Sequence, residues 1–133
     1  MERSKSPTIL IVDDEPTICA LLKDFFGRLG YQTRFAATGV EALALIEKSL
    51  PDLVILDIYM PAMNGVELLR RLKGRWSTAL PFGVIILTGG SDETLLQEAL
   101  SLGAFDILLK PVSTKQLELA VRVQLLLQSK DSP

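Results

Sequence analysis

Thr8-Ile9-Leu10-Ile11-Val12-Asp13-Asp14 is the stretch that decides how this chain is built. Its first five residues are β-branched or leucine with no polar alternation, the pattern of a strand covered on both faces as in the middle of a parallel sheet. The run then stops at two carboxylates. Three later runs stop in the same way: Leu53-Val54-Ile55-Leu56 at Asp57, Val84-Ile85-Ile86-Leu87 at Thr88, and Ile107-Leu108-Leu109 at Lys110. If these are parallel strands, their carboxyl ends share one edge, where open α/β sheets bind ligands. Carboxylates, a hydroxyl and an ammonium converging there suit a divalent cation and a phosphoryl group.

Between the runs the apolar period changes to that of a helix. Ile18, Leu21, Leu22, Phe25, Phe26 and Leu29 form one stripe, opened by Pro16 and ended by Gly30. Tyr31 to Ala37 is a weaker strand whose polar alternation predicts an edge position. A second helix is read from Val40, Leu43, Ala44 and Glu47, with Ile46 and Leu50 alongside, before Pro51-Asp52 turns the chain. Asn64 is placed to cap a helix carrying Val66, Leu69 and Leu72 as far as Gly74, and a loop with Trp76 and Pro81 follows. Asp92 can cap the next helix, with Leu95, Leu96, Ala99 and Leu100, closed by Gly103. The last helix, about Ser113 to Gln128, carries Leu117, Ala120, Val121, Val123, Leu125, Leu126 and Leu127, more than one buried face uses, so an interface is expected there. Strand and helix alternating five times predict an α/β domain with a doubly wound five-stranded parallel sheet over residues 8–128. The segments 1–7 and 129–133 are expected to be flexible tails.

Composition removes several classes of function. At 133 residues the chain fits one domain, and 48% apolar with 23% charged residues marks it as globular rather than disordered. A net charge of −2 without a basic cluster argues against direct nucleic-acid binding. The lone Cys19, in a helical pattern, excludes an internal disulfide and leaves too few soft ligands for structural zinc. The absence of histidine excludes Ser-His-Asp and Cys-His catalysis and a phosphohistidine carrier, so any phosphoryl group must come from another molecule. No apolar stretch is long enough to span a bilayer, and the polar start is unlike a signal peptide, so no membrane partner and a cytoplasmic location are expected.

Taken together, Ile11-Val12-Asp13-Asp14-Glu15, Leu56-Asp57-Ile58-Tyr59-Met60-Pro61-Ala62-Met63-Asn64-Gly65, Leu87-Thr88-Gly89 and Lys110-Pro111 resemble the marker motifs of response-regulator receiver domains. The resemblance covers roughly Thr8 to Gln128, in motif order. It implies a flavodoxin-like fold with strand order 2-1-3-4-5. It also implies that Asp57 is the phosphoacceptor, that Asp14, Asp57 and the backbone carbonyl of Tyr59 ligate Mg²⁺ (or Mn²⁺) directly, and that Asp13 acts on the metal through a water. Lys110, Thr88 and Gly89 would surround the phosphoryl group, and Pro111 would follow a cis peptide. The implied partners are a histidine kinase or phosphotransfer protein and an unidentified downstream protein. The responding face would be built from the fourth helix, the fifth strand and the fifth helix.

The residue chemistry agrees with that resemblance. Magnesium takes one or two carboxylates plus phosphate oxygens, and carboxylates crowded without it repel, so at least one should hold its proton more tightly. An ionised Asp57 needs no general base to attack phosphorus. Lys110 can neutralise charge on a transferred group, and the Thr88 hydroxyl can donate to it, moving its own strand end. Gly89 leaves room beside an acyl phosphate. The resemblance further implies that Tyr59 and Gly90 flank the path of a hydrolytic water, so exchanging either should change phosphate lifetime without abolishing phosphorylation.

Two departures from the family pattern stand out. Ile107 occupies a position where the family often has a Tyr or Phe switch, and Pro81-Phe82-Gly83 lengthens the approach to the fourth strand. Phe105 should point to the same side as Ile107. A receiver-like module that binds partners unphosphorylated is the alternative reading. An aspartate-based phosphohydrolase would need a second Asp two residues after the nucleophile, where Tyr59 stands, so the chain is not expected to be an enzyme beyond its own phosphorylation and dephosphorylation. A flavin site is disfavoured because the first turn is acidic. The surplus of the last helix makes a phosphorylation-linked homodimer an expectation, and no output domain follows within these residues.

Overall fold

Alternation along the strands sends odd and even residues to opposite faces, and both faces are covered. The computed structural model describes residues 6–90 and 92–130. Strands β1 (Thr8–Val12), β2 (Gln32–Ala36), β3 (Leu53–Leu56), β4 (Gly83–Thr88) and β5 (Asp106–Leu109) pair in parallel in the order β2-β1-β3-β4-β5. Helices α1 (Pro16–Arg28), α2 (Gly39–Lys48), α3 (Gly65–Arg75), α4 (Glu93–Ser101) and α5 (Thr114–Lys130) alternate with them. Leu10, Val12, Val54, Leu56, Val84 and Ile86 pack with Ala42, Ile46, Leu69, Leu72 and Ala99 of α2, α3 and α4. Ile9, Ile11, Leu53, Ile55, Ile85 and Leu87 pack with Leu22 and Phe26 of α1 and Leu117, Ala120 and Val121 of α5. Each such side chain withdrawn from water contributes roughly 1.5–3 kcal/mol, so the three central strands supply a large part of the core's stability.

The chain order reverses between β1 and β3, which opens a crevice at their carboxyl ends. Edge strands β2 and β5 are only partly buried, as the alternation of β2 predicts. Pro16 opens α1, Asn64 Oδ1 caps α3 by accepting the Glu67 N–H at 2.9 Å, and Asp92 Oδ1 caps α4 by accepting from Thr94 at 3.0 Å. Gly103 takes a φ of +114° after α4 and Gly30 one of +94° after α1, turns that favour a residue without a side chain.

Helix faces depart from the reading more than strand positions do. In α2 the buried residues are Gly39, Ala42 and Ile46, while Val40 and Ala44 face solvent and Leu50 lies exposed beyond the helix. Thr38 Oγ1 caps the helix by accepting from Glu41, and Gly39 sits so close to Met63 that a Cβ would fall 2.5 Å from its sulfur. That seat turns the helix by one residue, about 100°, away from the expected stripe. Leu21 and Leu29 of the α1 stripe and Leu100 of α4 are exposed as well. Helix α5 continues through Lys130, past the expected end at Gln128. Of the expected tails, residues 1–5 and 131–133 lie outside the described residues, whereas the Pro7 carbonyl accepts the Gln32 N–H at 2.9 Å.

Candidate functional site

Each strand ladder runs one step past its strand and so fixes the next residue at the crevice. The Asp13 N–H donates to Ala36 O at 3.0 Å, the Asp57 N–H to Val12 O at 2.9 Å, and the Lys110 N–H to Thr88 O at 2.8 Å. These backbone bonds set Asp13, Asp57, Thr88 and Lys110 along one edge, as the strand-end pattern predicts. Gly65 supports Asp57 from behind, since a Cβ there would lie 2.6 Å from the Asp57 carbonyl oxygen and 2.9 Å from Ile58 Cα. The Lys110–Pro111 peptide is cis.

Carboxylate oxygens of Asp13, Asp14 and Asp57 all lie within 4.8 Å of one another, with Asp13 and Asp57 buried and Asp14 exposed. Three hard oxygen donors from two strand ends fit a divalent cation of the magnesium or manganese type. Asp57 Oδ1 accepts the N–H of Tyr59 at 3.2 Å, and Asp13 Oδ1 accepts that of Glu15 at 3.0 Å, so each carboxylate is held by its own following turn. The Lys110 ammonium donates to Asp13 Oδ2 at 2.9 Å and to Glu15 Oε1 at 3.0 Å, and lies 3.6 Å from Asp57 Oδ2.

Burial is the main reason the Asp13 carboxyl is pushed above the ordinary aspartate value. The Glu15 N–H and Lys110 pull it down, and Asp57 adds a smaller upward push. One raised carboxyl is the expected outcome, yet desolvation rather than mutual repulsion dominates it. For Lys110 burial works to lower the value, but hydrogen bonds to Asp13 and Glu15 and the charges of Asp13 and Asp57 outweigh it and hold the ammonium well above the usual lysine range. Its positive charge is therefore permanent near neutrality.

Thr88 is fully buried at the end of β4, and its Oγ1 accepts the Gly90 N–H at 3.3 Å. Gly89 has open space where a Cβ would stand. Ile107 is half-buried and packs into the α2, α3 and α4 side of the core, whereas Phe105 precedes β5 and is exposed. Cys19 is half-buried, its thiol donating to Asp13 O at 3.4 Å and pushed up chiefly by burial. One participant, Glu15, has no role in the sequence-based expectations, and a second, Tyr59, makes a side-chain contact they do not include. Glu15 closes the ion cluster around Lys110, and its place as the third acid of Asp13-Asp14-Glu15 is the signal that points to it. The Tyr59 side chain reaches Asp92, with its hydroxyl accepting that N–H at 3.0 Å. No helix among the described residues is long and apolar enough to cross a membrane.

Known proteins resemble this chain in sequence and in fold. The chain is 40% identical over 121 residues to sporulation initiation phosphotransferase F of Bacillus subtilis, covering 91% of this chain and 95% of that one. It is 42% identical over 104 residues to the regulator of RpoS of Escherichia coli, covering 78% of this chain but only 30% of that protein. Among solved structures, a CheY-like receiver domain protein from Methanospirillum hungatei superimposes with a TM-score of 0.90 at 31% identity over 96% of this chain and all of the other. The receiver domain of a signal transduction histidine kinase from Syntrophus aciditrophicus does so with 0.83 at 37% identity over 96% of each chain. With the response regulator receiver domain model matching residues 9–122, the chain belongs to the receiver domain family of two-component signalling.

Proposed function

We propose that Asp57 accepts a phosphoryl group from a phosphohistidine on a partner kinase or phosphotransfer protein. The observation that carries this is the flanking of the Asp57 carboxylate by Lys110, 3.6 Å from Oδ2, and by the acidic pair Asp13 and Asp14. A carboxylate oxygen attacks phosphorus, the P–N bond breaks, and the electron pair leaves on the donor imidazole; hydrolysis later returns carboxylate and phosphate. Asp13, Asp14, Asp57 and the Tyr59 carbonyl would hold Mg²⁺, which when bound neutralises charge on phosphoryl oxygens. Lys110 supplies fixed positive charge, and Thr88 contributes a hydroxyl that donates to the new group. The Thr88 end of β4 then moves and, through α4, β5 and α5, alters a partner-binding face.

The domain serves as a switch rather than an enzyme, because Tyr59 stands where a phosphohydrolase carries its second acid. It acts in the cytoplasm on a downstream protein. A second copy is one further partner: Leu119, Val123 and Leu126 are exposed on α5, away from buried Leu117, Ala120 and Val121. Radiolabel transfer from acetyl phosphate tests the central claim. Wild type should label only with Mg²⁺, and Asp57→Asn not at all; equal labelling of both proteins would overturn the assignment, and a wild type that never labels would favour a partner-binding module instead.

A further inference from the structure

Tyr59 and Gly90 meet across the crevice from different loops. A Cβ on Gly90 would lie 1.7 Å from Tyr59 Cε2 and 2.2 Å from Cζ, so the ring occupies the place a side chain would need. The Tyr59 hydroxyl accepts the Asp92 N–H at 3.0 Å, and Asp92 is the N-cap of α4, its Oδ1 accepting from Thr94 at 3.0 Å and Leu95 at 3.3 Å. On the inner side, Gly90 N–H donates to Thr88 Oγ1 at 3.3 Å, while the Tyr59 N–H donates to Asp57 Oδ1 at 3.2 Å. One residue therefore touches the acceptor carboxylate with its backbone and the first turn of α4 with its hydroxyl. Ile107 offers no aromatic ring for such a link through β5.

We propose that the Tyr59 side chain is a latch that holds the Gly90 segment and the N-terminus of α4 in the resting arrangement and is displaced when Asp57 is charged. The inference rests on the phosphoryl-acceptor reading for what charges the site. A phosphoryl oxygen that takes the Thr88 hydroxyl leaves the Gly90 N–H to follow it toward the new negative charge, which carries that loop inward, against the ring lying on it. The ring has to swing, and Asp92 then loses its acceptor. Linkage fixes the sign: weakening a contact made only in the resting state favours the charged state by the same factor.

Hydrogen exchange and beryllofluoride binding with Mg²⁺ test the latch on the whole chain. Tyr59→Phe keeps ring and backbone but removes the acceptor; it should speed exchange at the Asp92, Thr94 and Leu95 amides and tighten beryllofluoride binding about fivefold, the scale of one neutral hydrogen bond. Gly90→Ala, which displaces the ring rather than backbone, should produce both effects by itself. Adding Tyr59→Phe to Gly90→Ala should then change nothing further. Unchanged exchange in Tyr59→Phe, an unchanged beryllofluoride affinity, or full additivity of the two substitutions would each overturn the latch. A wild type that does not bind beryllofluoride counts against the phosphoryl-acceptor reading instead, and the exchange comparison alone then decides whether Tyr59 holds α4.

Discussion

Lys110 and Asp13 stand 97 residues apart in the chain and form an ion pair of 2.9 Å, with side chains only 17% and 4% exposed. The pair exists because β1 and β5 end on the same edge, and it places a permanent cation against the acids proposed to hold a metal.

Lys110→Met should therefore have opposite effects on two measurements. Phosphorylation of Asp57 should slow on the order of 10²-fold, the cost typical of losing one charge-stabilising group at a reacting centre. Mg²⁺ affinity, read by calorimetry, should hold or rise, because an ammonium 2.9 Å from Asp13 and 3.6 Å from Asp57 repels the incoming ion. A weaker Mg²⁺ affinity in the variant would refute this division of roles.

The raised Asp13 carboxyl makes a statement about stability against pH. Its folded value lies above the unfolded one, so the native state holds the proton more tightly, and this contribution is present below about pH 3.8 and lost as pH rises through the raised value. Once its proton is lost, the buried Asp13 carboxylate is a cost to the metal-free fold. Asp13→Asn should thus be more resistant to urea than wild type at pH 7 without metal, with the difference shrinking as pH falls toward the raised value. A difference that grows on acidification would contradict the assignment, and saturating Mg²⁺ should reverse the ranking at pH 7.

Gly65→Ala places a methyl 2.6 Å from the Asp57 carbonyl oxygen and 2.9 Å from Ile58 Cα, both backbone atoms that cannot step aside. The expected cost is about 1–3 kcal/mol of stability, as for other overpacked sites. Because the displaced segment carries Asp57, Mg²⁺ affinity should fall as well. Thermal unfolding and calorimetry on the same sample check this, and a variant with wild-type values in both would show that the loop yields freely.

The α5 stripe gives a prediction about association. Leu119 and Leu126 are 62% and 65% exposed and, with Val123 between them, repeat at four and three residues, the spacing of a helix-pairing seam. Sedimentation should show a dimer with beryllofluoride and Mg²⁺, and Leu119→Glu with Leu126→Glu should abolish it. A wild type that stays monomeric with and without beryllofluoride and Mg²⁺ removes the dimer.

The central strand positions were legible because a segment buried on both faces leaves no choice of side. Leu53–Leu56 needs only an apolar run and a turn before it, and Asn64 and Asp92 declare their caps by chemistry that acts within three residues. The face of α2 was not legible. It turns on Gly39 and Ala42, small residues with little hydropathic weight, and Gly39 is seated against Met63 from a distant loop. The site followed the same division. Asp13, Asp57, Thr88 and Lys110 are set by strand ends, whereas the grip of Glu15 on Lys110 and the ring of Tyr59 over Gly90 arise only when separate loops are brought together.

The bond from the Lys110 N–H to the Thr88 carbonyl yokes the two ends into a single lever. On the proposed function, a pull on the threonine hydroxyl would reach the lysine backbone through this bond, so that sensing the phosphoryl group and holding it would be coupled.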